Sequence, residues 1–371
     1  MRALLSVLLF VDALARCQVF IVDIHNGPGT SFTSISAAVA AVPPGAILEV
    51  RPGSYVETVT IDAKALAILG AGNSGANIVA VSDIRVQNTQ ASQPVTVHGL
   101  TVGTATSTNC AGQTTWDEVR VDWDWGCSGC AQLVLNRSTL KLSAPAANCS
   151  AVAEACDFSG QQGCYDPGLC NIPPTPGLTL DHGSFVLRGC SVQAGIWIAP
   201  PGSVVFAVEG LRLVGGSVKL LDCRVAASNG LAFNGAVNGT GTMRADAAST
   251  FTPFYSFVTP PPVIGPMPRV SSAGAVLGNT ITVDVDGVPG ELAVLLIGMA
   301  GPPLVIPGFA DAFWLAPMDY HFHAIGSVPM TTGVAVPTDP SLRGLRIGWQ
   351  AVTFDGAGNS KVSNPSLDLV L

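Results

Sequence analysis

The run Trp116-Asp117-Glu118-Val119-Arg120-Val121-Asp122-Trp123-Asp124-Trp125 holds the densest set of groups able to do chemistry. Side chains alternate along a strand, so Glu118, Arg120, Asp122 and Asp124 share one face, and Val119, Val121, Trp123 and Trp125 share the other. Asp122 and Asp124 beside Arg120 make a carboxylate pair with a cation. Such a pair could hold Ca²⁺ against an acidic sugar, or divide acid/base and nucleophile roles on a polysaccharide. Trp116, Trp123 and Trp125 offer flat faces on which sugar rings can stack. The plainer reading, a strand with its apolar face buried and Arg120 paired to solvated acids, ranks ahead of the catalytic one.

The other candidates are weaker. His98 and His182 stand alone near turns and read as structural. His321 and His323 share a strand face at metal-ligand spacing, but no third ligand is evident, so no metal is expected. Asp284 and Asp286 read as solvated acids. Gly70-Ala71-Gly72-Asn73-Ser74-Gly75 lacks the Lys-Ser/Thr of a phosphate loop and reads as a turn. Asn136, Asn148 and Asn238 open glycosylation sequons.

The chain has 10 cysteines: Cys17, Cys110, Cys127, Cys130, Cys149, Cys156, Cys164, Cys170, Cys190 and Cys223. An even number in an exported chain points to disulfides throughout, with the pairing open. A Zn site on Cys127 and Cys130 is disfavoured because no histidine is near in sequence. Export is read from Arg2, the apolar run 3–11 and the small residues Ala13 and Ala15, which together predict a signal peptide over residues 1–15 and a secreted or cell-surface protein. Asp12 and Arg16 interrupt that run, and Pro302, Pro303 and Pro307 break the uncharged stretch 292–310, so no membrane span is expected; the latter reads as two strands around a turn.

Composition sets the class. Of 371 residues, 48% are hydrophobic and only 11% charged, against about a quarter in ordinary soluble domains. The net charge of -8 and the lack of a Lys/Arg cluster argue against nucleic-acid binding. With 41 Gly and 27 Pro, short strands and turns are favoured over long helices.

Residues 19–24 are a β-branched strand, followed by the turn His25-Asn26-Gly27-Pro28-Gly29. The stretch 31–42 reads as a short helix with Ile35, Val39 and Val42 on one face, ended by Pro43-Pro44-Gly45. Gly27-Pro28-Gly29, Phe32-Thr33-Ser34-Ile35, Ala37-Ala38-Val39, Pro44-Gly45 and Val50-Arg51-Pro52-Gly53-Ser54-Tyr55-Val56-Glu57 together resemble the opening of the pectin-lyase-like right-handed parallel β-helices, pectinesterases among them. The resemblance spans roughly fifty residues and implies a helix capping the open end of a coil. The paired-Asp and Gln rungs of pectinesterases have no counterpart, so it implies the scaffold without the activity. Rung-like strands recur at 95–102, 133–142, 185–192 and 218–225.

The fold expected is therefore all-β: a right-handed parallel β-helix over 16–251 with Cys-rich insertions within about 103–179, a Pro-rich linker over 252–268, and a β-sandwich over 269–371. The last part, through Asp339-Pro340-Ser341-Leu342-Arg343-Gly344-Leu345, Trp349-Gln350-Ala351 and Val362-Ser363-Asn364, resembles C-terminal β-sandwich modules of exported planctomycete-type bacterial proteins. Two functions follow. The first is a non-catalytic exported protein that binds a polysaccharide or a cell-surface ligand and needs no cofactor. The alternative is a pectinesterase- or lyase-type enzyme, with Ca²⁺ only in the lyase case. Arg188, Arg212 or Lys219 in a groove beside Asp122 and Asp124 would favour the enzyme.

Overall fold

A computed structural model of the chain describes residues 18–166, 170–198, 207–229, 235–253, 255–307, 309, 311–316 and 319–371. The signal-peptide segment and Cys17 lie outside the described residues. The described chain is all-β apart from the helix Ile35–Ala41 and two short 3-10 turns. A long parallel β-helix is followed by antiparallel sheets that form a sandwich.

Each full rung of the coil supplies three strands to three parallel sheets. The first sheet stacks Ala46–Val50, Leu66–Gly70, Val95–His98, Thr114–Asp117, Leu133–Asn136, Ser150–Glu154 and Ser184–Arg188 in register. The second runs through Thr139–Leu142, Asp157–Gly160, Ser191–Gln193 and Arg224–Ala226. The third includes Ala146–Ala147 and Leu178–Asp181. In the early rungs one bent strand, such as Arg120–Ser128, crosses from second to third sheet. The partners Thr96, Thr115, Val134 and Val152 show that a rung closes every 18 or 19 residues.

Two corners repeat one device. Gly99, Glu118, Arg137, Ala155, Gly189 and Asp222 have φ between 44° and 66° after the first sheet; Ala63, Asn88, Asn109, Gly129, Asn148 and His182 have φ between 48° and 62° before it. One left-handed residue turns the chain sharply, which Gly, Asn and Asp tolerate best. At most of these corners the next residue is buried in the coil, and its stacked counterparts form a continuous apolar core.

This geometry overturns the disulfide reading for seven cysteines. Cys110, Cys130, Cys149, Cys156, Cys190 and Cys223 each follow such a corner residue, and Cys127 points inward from its strand; all seven are buried free thiols. They stack with their rung neighbours as a small valine or serine would. Cys130, Cys149 and Cys156 donate to carbonyls of Ser107, Ala147 and Glu154, each at 3.3 Å. Burial pushes the Cys127, Cys190 and Cys223 thiols well above their ordinary range. These three, neutral and enclosed, are inert; bonds from the Cys130 and Cys127 side chains instead lower Cys110 and Cys149. Cys164 is disulfide-bonded.

Two domain boundaries also move. Rungs run unbroken through 103–160, and among the described residues those at 161–166, 170–177 and 195–198 leave the coil. Their strands Gly163–Asp166, Cys170–Ile172 and Trp197–Ile198 form a small separate sheet. The Pro-rich segment is not a linker either: Tyr255–Thr259 and Val263–Ile264 pair with Val237–Ala245 as a last turn of coil. Pro260, Pro261 and Pro262 fall between those two strands and remove no ladder bond.

The helix Ile35–Ala41 caps the first rung. Ser34 Oγ accepts from Ala37 N at 3.2 Å. Glu57, from the second rung, accepts from Ser34 Oγ, Ile35 N and Ser36 N at 2.7, 2.8 and 3.0 Å. Arg51 pairs with Asp23 at 2.9 Å, and Tyr55 OH donates to Arg51 O at 3.0 Å. Ser34, Ile35, Arg51, Tyr55 and Glu57 belong to the opening motif; Glu57 clamps the helix, and Arg51 and Tyr55 tie the turn before it.

From Arg269 two antiparallel sheets pack on Trp349, Ile281, Val283, Leu295 and Ala351. Within the uncharged stretch, Leu292–Gly298 and Ala300–Leu304 are strands of different sheets. The sandwich lies against the outer face of the first coil sheet, where Val134, Val152, Val186 and Leu221 meet Met267, Trp314 and Leu367. Polar bonds cross the same contact: Asn136 Nδ2 to Leu367 O at 3.0 Å, Arg188 to Val270 O at 3.2 Å, and Lys219 to Asp311 at 3.1 Å. Asn136 is therefore covered.

Candidate functional site

With the first sheet covered, a long polar face remains on the second. Arg120, Thr139, Lys141, Ser159 and Gln193 rise from successive rungs and floor a groove of about 450 Å³. Gln162, Gly195 and Ile196, from the two segments that leave the coil, line it as well. Pockets of this size that mix apolar wall with a few polar groups are the usual form of a ligand site.

A bulge in the strand that carries Asp122 exposes an indole next to the groove, outside its lining. Val102 pairs with Val121 and Thr104 with Asp124, so Gly103 faces two residues, Asp122 and Trp123. The extra residue breaks strand alternation. Trp123 is thrown outward with 66% of its surface exposed. A Cβ on Gly103 would sit 2.6 Å from Ser82 O and 3.2 Å from the indole, so the backbone of the preceding rung is what first requires glycine there. Trp116 and Trp125 are fully buried, which corrects their reading as ligand-binding residues; Trp116 Nε1 donates to Ser107 Oγ at 3.1 Å inside the coil.

The acids do not converge. Asp122 lines the groove and accepts from Arg120 Nε at 2.7 Å. Asp124 accepts from Ser143 N at 2.9 Å, which fixes a turn. Glu118 is a corner residue held by Arg137 at 3.0 Å. Arg188 pairs with Glu154 at 2.6 Å and Lys219 with Asp311 beneath the sandwich, while Arg212 pairs with Glu209. None of the three basic residues anticipated beside Asp122 is there. Lys141 stands there instead, and it has no hydrogen-bonding or ionic partner among the described residues.

Sequence reasoning also missed a pairing. His98 and Asp117 are register partners on adjacent rungs, and His98 Nδ1 lies 2.9 Å from Asp117 Oδ2. The 19-residue spacing of the pair is one rung, and that period was the available signal. His182 pairs with neighbouring Asp181 at 2.5 Å. His323 reaches Thr332 Oγ1 at 3.3 Å and packs edge-on against Trp349. Asp284 accepts from Thr331 Oγ1 at 2.6 Å. Among the described residues no group of three His, Cys, Asp or Glu side chains is placed to hold a metal, and no helix is long and apolar enough to cross a membrane.

No protein-family model matches the chain, and no curated protein matches it.

Proposed function

We propose that this is an exported β-helix protein of the pectin-lyase-like kind that binds a polysaccharide, or another polyhydroxylated surface ligand, along the groove of the second sheet. The observation that carries the reading is Trp123, an outward indole beside a line of hydrogen-bonding side chains repeated at the rung spacing. A sugar offers an apolar ring face and several hydroxyls. The exposed indole next to the groove answers the first, and Lys141, Ser159 and Gln193 within it answer the second. Rungs stack about 4.8 Å apart, so neighbouring side chains can meet successive hydroxyls of an extended chain.

Binding is favoured over hydrolysis because the two acids are each engaged locally and aim at no common point. The test is retention on a panel of immobilised polysaccharides, with release of reducing sugar, unsaturated uronate and methanol read in parallel, with and without Ca²⁺. The expected result is retention on at least one polysaccharide, reduced at least ten-fold in Trp123→Ala, with no product released. Product that disappears in Asp122→Ala would make the protein an enzyme. Retention unaffected by both Trp123→Ala and Lys141→Ala would remove the groove from the account.

A further inference from the structure

A second cleft, of about 400 Å³, opens where the loops after the first-sheet strands meet the sandwich. Glu49, Arg51, His98 and the apolar Ile21 and Leu69 line it from the coil, and Arg343 lines it from the sandwich. Arg343 reaches Glu49 at 3.1 Å, so a polar contact between the two halves frames the opening.

His98 is set in an unusual way for a structural histidine. Its Nδ1 faces Asp117, whose side chain is 1% exposed and whose second oxygen is held by Arg137 at 2.8 Å. The Asp117 carboxylate so held accepts from Nδ1–H, which orients the ring. Nε2 has no partner among the described residues, although His98 lines the cleft. Arg343 uses one guanidinium nitrogen on Glu49 and keeps donors free, and Arg51, held by Asp23 and Pro28 O, remains partly exposed. The lining thus offers two guanidinium groups, each engaged by one acid but with donors left over, the oriented His98 ring and an apolar wall.

We propose that this cleft is a second ligand site, independent of the groove, for a small organic acid whose carboxylate meets Arg343 and Arg51 and whose apolar body lies against Ile21 and Leu69 beside His98. Guanidinium donors bind carboxylates through charge-assisted bonds. The apolar wall adds a preference for a hydrophobic body over a bare anion.

The probes are benzoate, acetate and benzyl alcohol, titrated into the whole protein with its histidine ring nitrogens labelled with ¹⁵N. The His98 signals are identified by their loss in His98→Gln. Benzoate is expected to move the His98 Nε2 signal saturably, with acetate and benzyl alcohol each at least ten-fold weaker. Arg343→Gln, at a half-exposed side chain, should keep the thermal unfolding of the parent and weaken benzoate at least ten-fold. Trp123→Ala should leave benzoate binding unchanged, which separates this site from the groove. The proposal is overturned if benzoate leaves His98 unmoved, if acetate or benzyl alcohol matches it, or if Arg343→Gln binds benzoate as the parent does.

Discussion

Removing the charge of Glu57 should loosen the cap by a calculable amount. Its carboxylate takes three bonds, from Ser34 Oγ, Ile35 N and Ser36 N. Glutamine keeps one acceptor oxygen and turns an amide N–H₂ toward donors. Hydrogen bonds to charged groups contribute about 1.5–3 kcal/mol each, but the site is partly exposed and water replaces part of what is lost. Losing the Ser34 cap with it would cost about 1 kcal/mol more. We therefore expect Glu57→Gln to destabilise the chain by about 2 kcal/mol, read by urea unfolding followed by far-UV circular dichroism. The pH dependence sharpens the test. Burial alone would raise the Glu57 carboxyl, but the nearby Ser36 and Ser34 hydroxyls and the bonds from the Ser36 and Ile35 N–H groups outweigh it, so it sits below its ordinary value. A depressed carboxyl stabilises fully above its unfolded value of about 4.3 and loses that contribution as pH falls through the folded value. The gap between parent and variant should thus hold from neutral pH down to the unfolded value and close below it. A gap under about 0.5 kcal/mol at pH 7, below what one such bond contributes, or one that persists in acid, would refute this account of the cap.

Three further outcomes follow from the same coordinates. A thiol-reactive chromophore should report no fast reaction from the seven coil cysteines in the folded protein and at least seven thiols after denaturation without reductant; fewer would show that the ladders oxidise. Asp311 serves both Lys219 and Arg244, and burial lowers the Lys219 ammonium. Asp311→Asn should therefore cost about 3 kcal/mol, whereas Lys219→Met should be near neutral by the same unfolding assay, because a buried pair is worth little against an apolar substitute but a widowed charge is costly. Gly239 has φ +118°, and an added Cβ would fall 1.9 Å from Leu213 O. Gly239→Ala should lower stability by about 2 kcal/mol or more, and a neutral result would show that this strand pairing is not as described.

The opening of the coil was legible in sequence because three motif residues there have local partners: Arg51 with Asp23, Tyr55 with the Arg51 carbonyl, Glu57 with the helix. The all-β class followed from composition and from β-branched runs broken by turns. The cysteines misled because their type argued for export chemistry while their position argued for packing. Six of the seven follow Asn, Gly, Ala or Asp at a left-handed corner, and the step from Cys130 to Cys149 is one rung, which makes them inward positions of a repeat. Strict alternation misplaced Trp123, because a bulge leaves no mark in a strand's pattern. The Pro-rich segment looked like a linker because proline breaks ladders, yet prolines between strands break nothing.

The faces of the coil explain where a ligand can go. Outward positions of the first sheet read Thr96, Thr115, Val134, Val152 and Val186, small and β-branched side chains that let a second sheet lie close. The sandwich occupies that face, with Arg346 donating to Thr96 at 3.1 Å and Val134, Val152 and Val186 buried against Trp314 and Leu367. The corresponding positions of the second sheet read Arg120, Thr139, Lys141, Ser159 and Gln193, side chains that lose hydration if covered by an apolar surface. Of the chain's lysines, Lys64, Lys219 and Lys361 are each bonded to carbonyls or acids, and Lys141 alone keeps its ammonium free among the described residues. A partner for that face must therefore bring hydrogen-bonding groups of its own at the rung repeat, which a polyhydroxylated chain does and an apolar protein surface does not.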